Sequence, residues 1–172
     1  LMLQHLRYNY EIASPLWLEI FTQYEYNEFL LLDRRLVGGL GLRVALVNGD
    51  KGGVFFGSAA MLEEERLNEE QIAPSEAIQR VNIRSSNYLS AILTPNDGVT
   101  WTTTIYFQPR FDAFSDYRLV GETGLSLKLN DNIAFTADAR YRRDSAPPKT
   151  PQGTANVLPT DVSIKNGIKV SW

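Results

Sequence analysis

The 172-residue sequence contains no cysteine and a single histidine, His5. Without cysteine there are no disulfides, no thiolate metal sites and no cysteine nucleophile, which suits an exported bacterial protein while leaving the redox compartment open. With one histidine, a hydrolase would have to pair His5 with Ser85 or Ser86, and nothing in the spacing aligns a nucleophile, a base and an orienting group. The chain is therefore read as a non-enzyme, with no catalytic residues, cofactor or metal site. Long hydrophobic runs are lacking too. No apolar run exceeds Phe29-Leu30-Leu31-Leu32, far short of the roughly 18 residues of a membrane helix. If this chain meets a membrane, it does so as strands. Basic runs are absent: Lys and Arg are scattered along the chain, nowhere more than two together, and the net charge is -3, so nucleic acid is not an expected partner. The opening residues, Leu1 to Tyr8, show neither the basic start nor the apolar core of a signal peptide. The expectation is that a signal has been removed or that the chain begins inside a longer one.

What is present is period-2 alternation. A mean hydropathy of -0.22 is what a barrel averages to when every second residue faces lipid. Leu119, Gly121, Thr123, Leu125, Leu127 and Leu129 share one face, opposed by Arg118, Glu122, Ser126 and Lys128. Ile133, Phe135, Ala137, Ala139 and Tyr141 oppose Thr136, Asp138, Arg140 and Arg142, and Val162, Ile164, Ile168, Val170 and Trp172 oppose Ser163, Lys165 and Lys169. Upstream segments follow the same rule around Trp101, Val81, Leu36, Leu16 and Leu6. The pattern blurs near 53–65, where Phe55 and Phe56 put an aromatic on each face, and Glu63 and Glu65 restore the polar phase. The spacing predicts nine strands. The one helical candidate, Met61 to Leu67, is read as a strand end entering a loop, since Asn68 and Pro74 follow.

The links add a second regularity. Those at 13–15, 48–52, 94–98 and 130–131 are short and rich in turn residues; those near 27–33, 66–77, 112–116 and 144–160 are mostly longer. Outer-membrane barrels alternate in this way, with tight periplasmic turns and long extracellular loops. The last strand then runs inward, and Ile168, Val170 and Trp172 form a C-terminal aromatic signal of the kind that barrel-insertion machinery reads. Nine alternating strands leave the first and last parallel, whereas single-chain bacterial barrels are even-numbered. At least one strand is expected to precede Leu1, unless the count is off by one.

The polar face is the candidate lumen. It carries Arg35, Arg43, Arg80, Arg84, Arg110, Arg118, Glu122, Asp138, Arg140 and Arg142, with Glu63 and Glu65. Rings of arginine select anions in some pores, but a barrel of about 10 strands is narrow enough for charges of both signs to fill it and pair, and the filled lumen is the preferred reading. The run Glu63-Glu64-Glu65 with Glu69-Glu70 lacks calcium-loop spacing and is read as a solvated loop margin. Trp101, Tyr106, Phe107, Phe111, Phe114 and Tyr117, with Tyr24 and Tyr26, fit an interfacial aromatic girdle. Gly38, Gly39 and Gly41 fit close packing in a curved sheet and not a phosphate loop.

Particular residues then carry a family resemblance. Arg35-Leu36-Val37-Gly38-Gly39-Leu40-Gly41, Arg84-Ser85-Ser86-Asn87-Tyr88-Leu89, Tyr106-Phe107-Gln108-Pro109-Arg110 with Asp116-Tyr117-Arg118, and Asp144-Ser145-Ala146-Pro147-Pro148 with Asp161 resemble the YdiY-like salt-induced outer-membrane proteins. The resemblance covers nearly the whole chain. It implies an outer-membrane β-barrel and supplies no activity or catalytic residues. The expected fold is thus all-β, an antiparallel up-and-down transmembrane barrel in one domain over 1–172, in the outer membrane of a Gram-negative bacterium. Expected partners are outer-membrane lipid and lipopolysaccharide, the insertion machinery and a larger envelope complex. The expected role is structural or stress-related; the alternatives are a narrow porin-like channel with an Arg-rich lumen and a soluble β-sandwich or lipocalin-like carrier.

Overall fold

Turn chemistry and alternation act together to fold the chain into consecutive hairpins. In the computed structural model, which describes residues 2–151 and 157–170, Asn96 Oδ1 accepts from the Gly98 N–H at 2.9 Å, and Asn130 Oδ1 accepts from the N–H groups of Asn132 and Ile133 at 3.0 and 2.9 Å. Such local side-chain bonds stabilise reversal of the backbone and compete with strand continuation. The strands are β1 (Met2–Ala13), β2 (Leu16–Asn27), β3 (Leu32–Gly49), β4 (Gly52–Leu67), β5 (Gln79–Asn96), β6 (Val99–Pro109), β7 (Tyr117–Lys128), β8 (Ile133–Asp144) and β9 (Thr160–Val170). Each pairs antiparallel with the next in one nine-stranded sheet of order β1 to β9. The only helical element among the described residues is a 3-10 turn at Glu28–Leu30, capped by Asn27.

The links alternate as the sequence predicts: 14–15, 50–51, 97–98 and 129–132 at one end, 28–31, 68–78, 110–116 and 145–159 at the other. The segment Met61 to Leu67 is strand, the upper end of β4. Trp172, with Leu1 and Ser171, lies outside the described residues, so the final aromatic of the C-terminal pattern has no structural description; Ile168 and Val170 face outward on β9.

Alternation makes the two faces chemically opposite. Outward positions are apolar and exposed, from Leu6 at 73 % to Ile164 at 76 %. Inward positions include Glu19, Glu25, Glu63, Arg84 and Arg118, all buried. That inversion of a soluble protein's plan comes from rolling the sheet around its polar face. Arg7 on β1 reaches the Tyr106 hydroxyl on β6 at 3.3 Å, Tyr88 on β5 reaches Glu19 on β2 at 2.6 Å, and Arg142 on β8 reaches Glu25 on β2 at 3.2 Å. These contacts bridge strands that are not neighbours in the sheet, so they cross an enclosed interior. The wall has one seam. β1 and β9 are the sheet's two edges, run in the same direction, and share no ladder among the described residues.

The outward apolar face has the height of a bilayer. On β5 it runs from Val81 to Leu93, about 40 Å along the strand at the usual rise. At a barrel tilt of roughly 35–45° that is about 28–32 Å along the axis, close to the hydrocarbon thickness. Above it the outer surface turns charged, with Arg34 and Glu64 paired and Gln79 hydrogen-bonded to Glu64. Small apolar clusters lie inside: Phe21, Val37, Ala59 and Met61 at mid-height, and Leu32, Leu67 and Ile72 under the long links.

Candidate functional site

The long-link half of the interior is filled by an ionic cluster, and period 2 explains its membership. On β4 the run Glu63-Glu64-Glu65 is split, Glu63 and Glu65 pointing in and Glu64 out to Arg34. On β3, β5, β7 and β8 the same phase brings Arg35, Arg84, Arg118, Arg142 and Asp144 to meet them. Glu63 is fully buried and stands at the centre. Arg35 Nε donates to its Oε2 at 2.7 Å, Arg84 Nε to its Oε1 at 3.0 Å, and Arg118 Nη1 also donates to Oε2.

The cluster extends outward from that centre. Arg35 Nη1 donates to Glu25 at 3.0 Å, and Arg142 binds the other Glu25 oxygen. Arg118 uses its remaining nitrogens on Glu65 at 2.6 Å and Asp144 at 2.9 Å. Arg84 reaches Asp116 at 3.0 Å and the carbonyl oxygens of Gln108 and Asp116 at 3.3 Å. Four guanidiniums, those of Arg35, Arg84, Arg118 and Arg142, thus face the carboxylates of Glu25, Glu63, Glu65 and Asp144. Burying charge is costly unless each is paired and hydrogen-bonded, and here every one is.

A second tier crosses the interior at mid-height. Glu19 accepts from Tyr88 and lies 3.4 Å from Arg7, whose guanidinium sits over the Tyr88 ring at 5.1 Å and the Phe21 ring at 5.8 Å. Two glycines make room for these rings. A Cβ at Gly39 would lie 2.2 Å from Phe21 Cζ, and one at Gly57 2.2 Å from Tyr88 Cε1.

The remaining predicted lumen residues are dispersed. Arg43 stacks over Phe55 at 4.1 Å, Arg80 pairs with Glu76, and Glu122 lies 3.4 Å from Arg140. Asp138 lines an open hollow lower down. Arg110 lies just past β6, in the 110–116 link, bound to Asp112 and Asp116. The Asp112 hydrogen bonds hold its guanidinium above its ordinary range, and the same bonds hold the Asp112 carboxyl below its own.

Some sequence expectations are corrected. Tyr106 belongs to the interior and not to an aromatic girdle, because its even position on β6 points it at Arg7. Gly38 faces outward with nothing within 4 Å of a Cβ, so close packing does not explain it. His5 stacks on Phe21, Ser86 accepts from Gln108, and Ser85 lies on the outer face, accepting from Asn87. Glu25, Asp116 and Asp144 were missed as cluster members. The signal for Glu25 was its phase on β2 and for Asp144 its phase on β8 with Arg140 and Arg142; for Asp116, which sits in a link, there was none.

Arg35, Arg84, Asp116, Arg118 and Asp144, which build the cluster, also lie in the stretches that carry the family resemblance, and Pro147 and Pro148 line the small space of about 30 Å³ beside Arg118 and Asp144. A family model described as "Protein of unknown function, DUF481" matches residues 3–165. No curated protein and no solved structure matches the chain.

Proposed function

The chain belongs to the DUF481 family of proteins of unknown function, whose known members include the YdiY-like group, and from this premise we propose that it is an outer-membrane β-barrel whose lumen is shut by its own ion pairs. The observation that carries the proposal is the contrast between faces: an apolar outer surface of bilayer height around an interior centred on a fully buried Glu63 held by three arginines. Lipid tolerates no unpaired backbone, which is why strands cross it only in closed barrels. The edges of β1 and β9 would therefore need one further strand, antiparallel to both, to seal the seam.

A barrel of this kind serves the envelope as a structural or stress-related component, anchored in lipid and lipopolysaccharide and inserted by the barrel-assembly machinery. Its charged upper rim, with Arg34, Glu64 and Gln79, is the part available to a larger envelope complex. The hollow in the short-link half favours a second reading, a narrow channel, because there the lumen is not filled.

Two measurements test this. Boiled and unboiled samples should migrate differently on a detergent gel if the barrel closes, and an unshifted, detergent-free soluble protein would return the chain to the carrier reading. In planar bilayers the shut lumen gives no discrete conductance steps. Steps that shrink in Arg84→Ala or Arg140→Ala would replace the shut barrel by the channel.

A further inference from the structure

Below the two filled tiers, the inner faces of β6 to β9 border a hollow of about 440 Å³, within the range of small-molecule sites. Its charged lining is Glu122 and Asp138 against Arg140 and Lys165, so it is neutral overall. Unlike the cluster above, these charges are open to solvent: Glu122, Asp138 and Lys165 are exposed and Arg140 is partly buried. Asp138 and Lys165 stand directly opposite each other in the β8–β9 ladder, yet neither makes an ion pair or hydrogen bond among the described residues. Arg140 Nε is buried without a hydrogen-bond acceptor, its nearest carboxylate oxygen, on Glu122, being 3.4 Å away.

The floor of the hollow is left open by a glycine. A Cβ at Gly124 would stand 2.7 Å from Asp138 Oδ1 and 3.2 Å from Thr102 Oγ1, so both oxygens converge over that backbone. Two carboxylates and two cations therefore face one open space, and of the four only Glu122 and Arg140 are paired with each other. A simple anion would meet Glu122 and Asp138, and a simple cation Arg140 and Lys165. A guest carrying both charges can set its cation on Asp138 and its anion between Lys165 and Arg140.

We propose that this hollow binds a small zwitterion of amino-acid size, its ammonium on Asp138 and Thr102 and its carboxylate on Lys165 and Arg140. The site rests on the inner wall alone and goes beyond the shut-barrel reading, which conductance decides separately. The test is calorimetry on the folded protein in detergent with three probes: L-alanine, ethylammonium, which is alanine without the carboxylate, and propionate, which is alanine without the ammonium. The expected result is saturable alanine binding, with each half-probe weaker by about tenfold or more, the tenfold corresponding to about 1.4 kcal/mol. Asp138→Asn and Lys165→Gln should each weaken alanine by a similar factor, while Asp50→Asn in the 50–51 turn leaves it unchanged. Gly124→Ala keeps every charge but closes the floor, and should lose alanine binding while the gel shift on boiling is retained. Absence of saturable alanine binding, equal affinity for the three probes, or unchanged affinity in Asp138→Asn and Lys165→Gln overturns the site.

Discussion

Glu63→Gln is the substitution from which the fold has most to lose. The carboxylate is fully buried and receives Arg35, Arg84 and Arg118. An amide keeps one acceptor oxygen and turns an NH2 group toward cations that can only donate. Each arginine retains another carboxylate, in Glu25, Asp116, and Glu65 with Asp144, but the cluster is left with one positive charge in excess. Breaking a buried pair by removing one partner costs about 3–5 kcal/mol. With a urea slope of about 2 kcal/mol per molar, the unfolding midpoint in lipid vesicles, followed by tryptophan fluorescence, should fall by roughly 2 M. Glu64→Gln supplies the comparison on the same strand. Its pair with Arg34 is partly exposed, 44 % and 32 % at the two side chains, and such pairs contribute about 0–1 kcal/mol. The double change Glu63→Met with Arg84→Met restores the balance of charge and should recover at least half of the loss. If Glu63→Gln moves the midpoint no further than Glu64→Gln does, the ionic cluster does not hold the barrel together.

Three further outcomes are expected. Leu89→Arg places a charge on the outward face of β5, 48 % exposed at mid-strand, and should cost about 2–4 kcal/mol in lipid; a cost near zero in the same urea titration removes the lipid-facing assignment. Gly57→Ala pushes a methyl into the Tyr88 ring and should cost roughly 1–3 kcal/mol as overpacking with loss of the Tyr88 to Glu19 bond, whereas Gly38→Ala, open on the outer face, should change the midpoint by about 0.5 kcal/mol or less. In the 110–116 link, the Asp112 carboxyl should titrate below its ordinary 3.8 in a carbon-detected NMR titration and move back up in Arg110→Ala. Because its folded value is depressed, the contact is fully present above the ordinary value and is lost as pH falls through the folded one; an unmoved titration in Arg110→Ala contradicts the hydrogen-bond cause.

Alternation makes most of the wall legible in the sequence. Arg118, Glu122 and Lys128 on one side and Leu119, Leu125 and Leu127 on the other fix both the strand and its inward face, since a side-chain period of 2 admits no other regular element. The links at Asn96 and Asn130 were legible for the same reason, their turn chemistry being local. What the alternation could not show was which inward charges meet. Glu63 and Arg118 are 55 positions apart in sequence and come together only through the roll of the sheet, and Tyr106 looked like a girdle residue because it stands among other aromatics, its neighbour Phe107 being exposed on the outer face. The emptiness over Gly124 was equally hidden, since it depends on which residue stands opposite Asp138 and not on any motif.

The ion pairs also answer a problem of specification that an apolar filling would leave open. A strand of this sheet that slips by one residue exchanges its inner and outer faces completely. If the interior were apolar, as the wall outside is, the slipped and native registers would bury similar surfaces and differ little in energy. With Arg118 on β7 and Glu63 on β4 facing inward, the same slip puts a guanidinium and a carboxylate on the outer, apolar face. In the proposed barrel an outward arginine costs up to about 2–4 kcal/mol at the midplane and less toward the strand ends, where Arg118 lies, and the slip leaves the other cluster members without their partners as well. The arginines and glutamates need contribute nothing beyond what packed leucines would to the stability of the native register. Their effect is to raise every alternative, so a charge-free interior variant, with the cluster replaced by apolar residues of similar volume, should remain stable once folded yet yield a heterogeneous set of folded bands, and a single sharp band from that variant would show that the turns alone set the register.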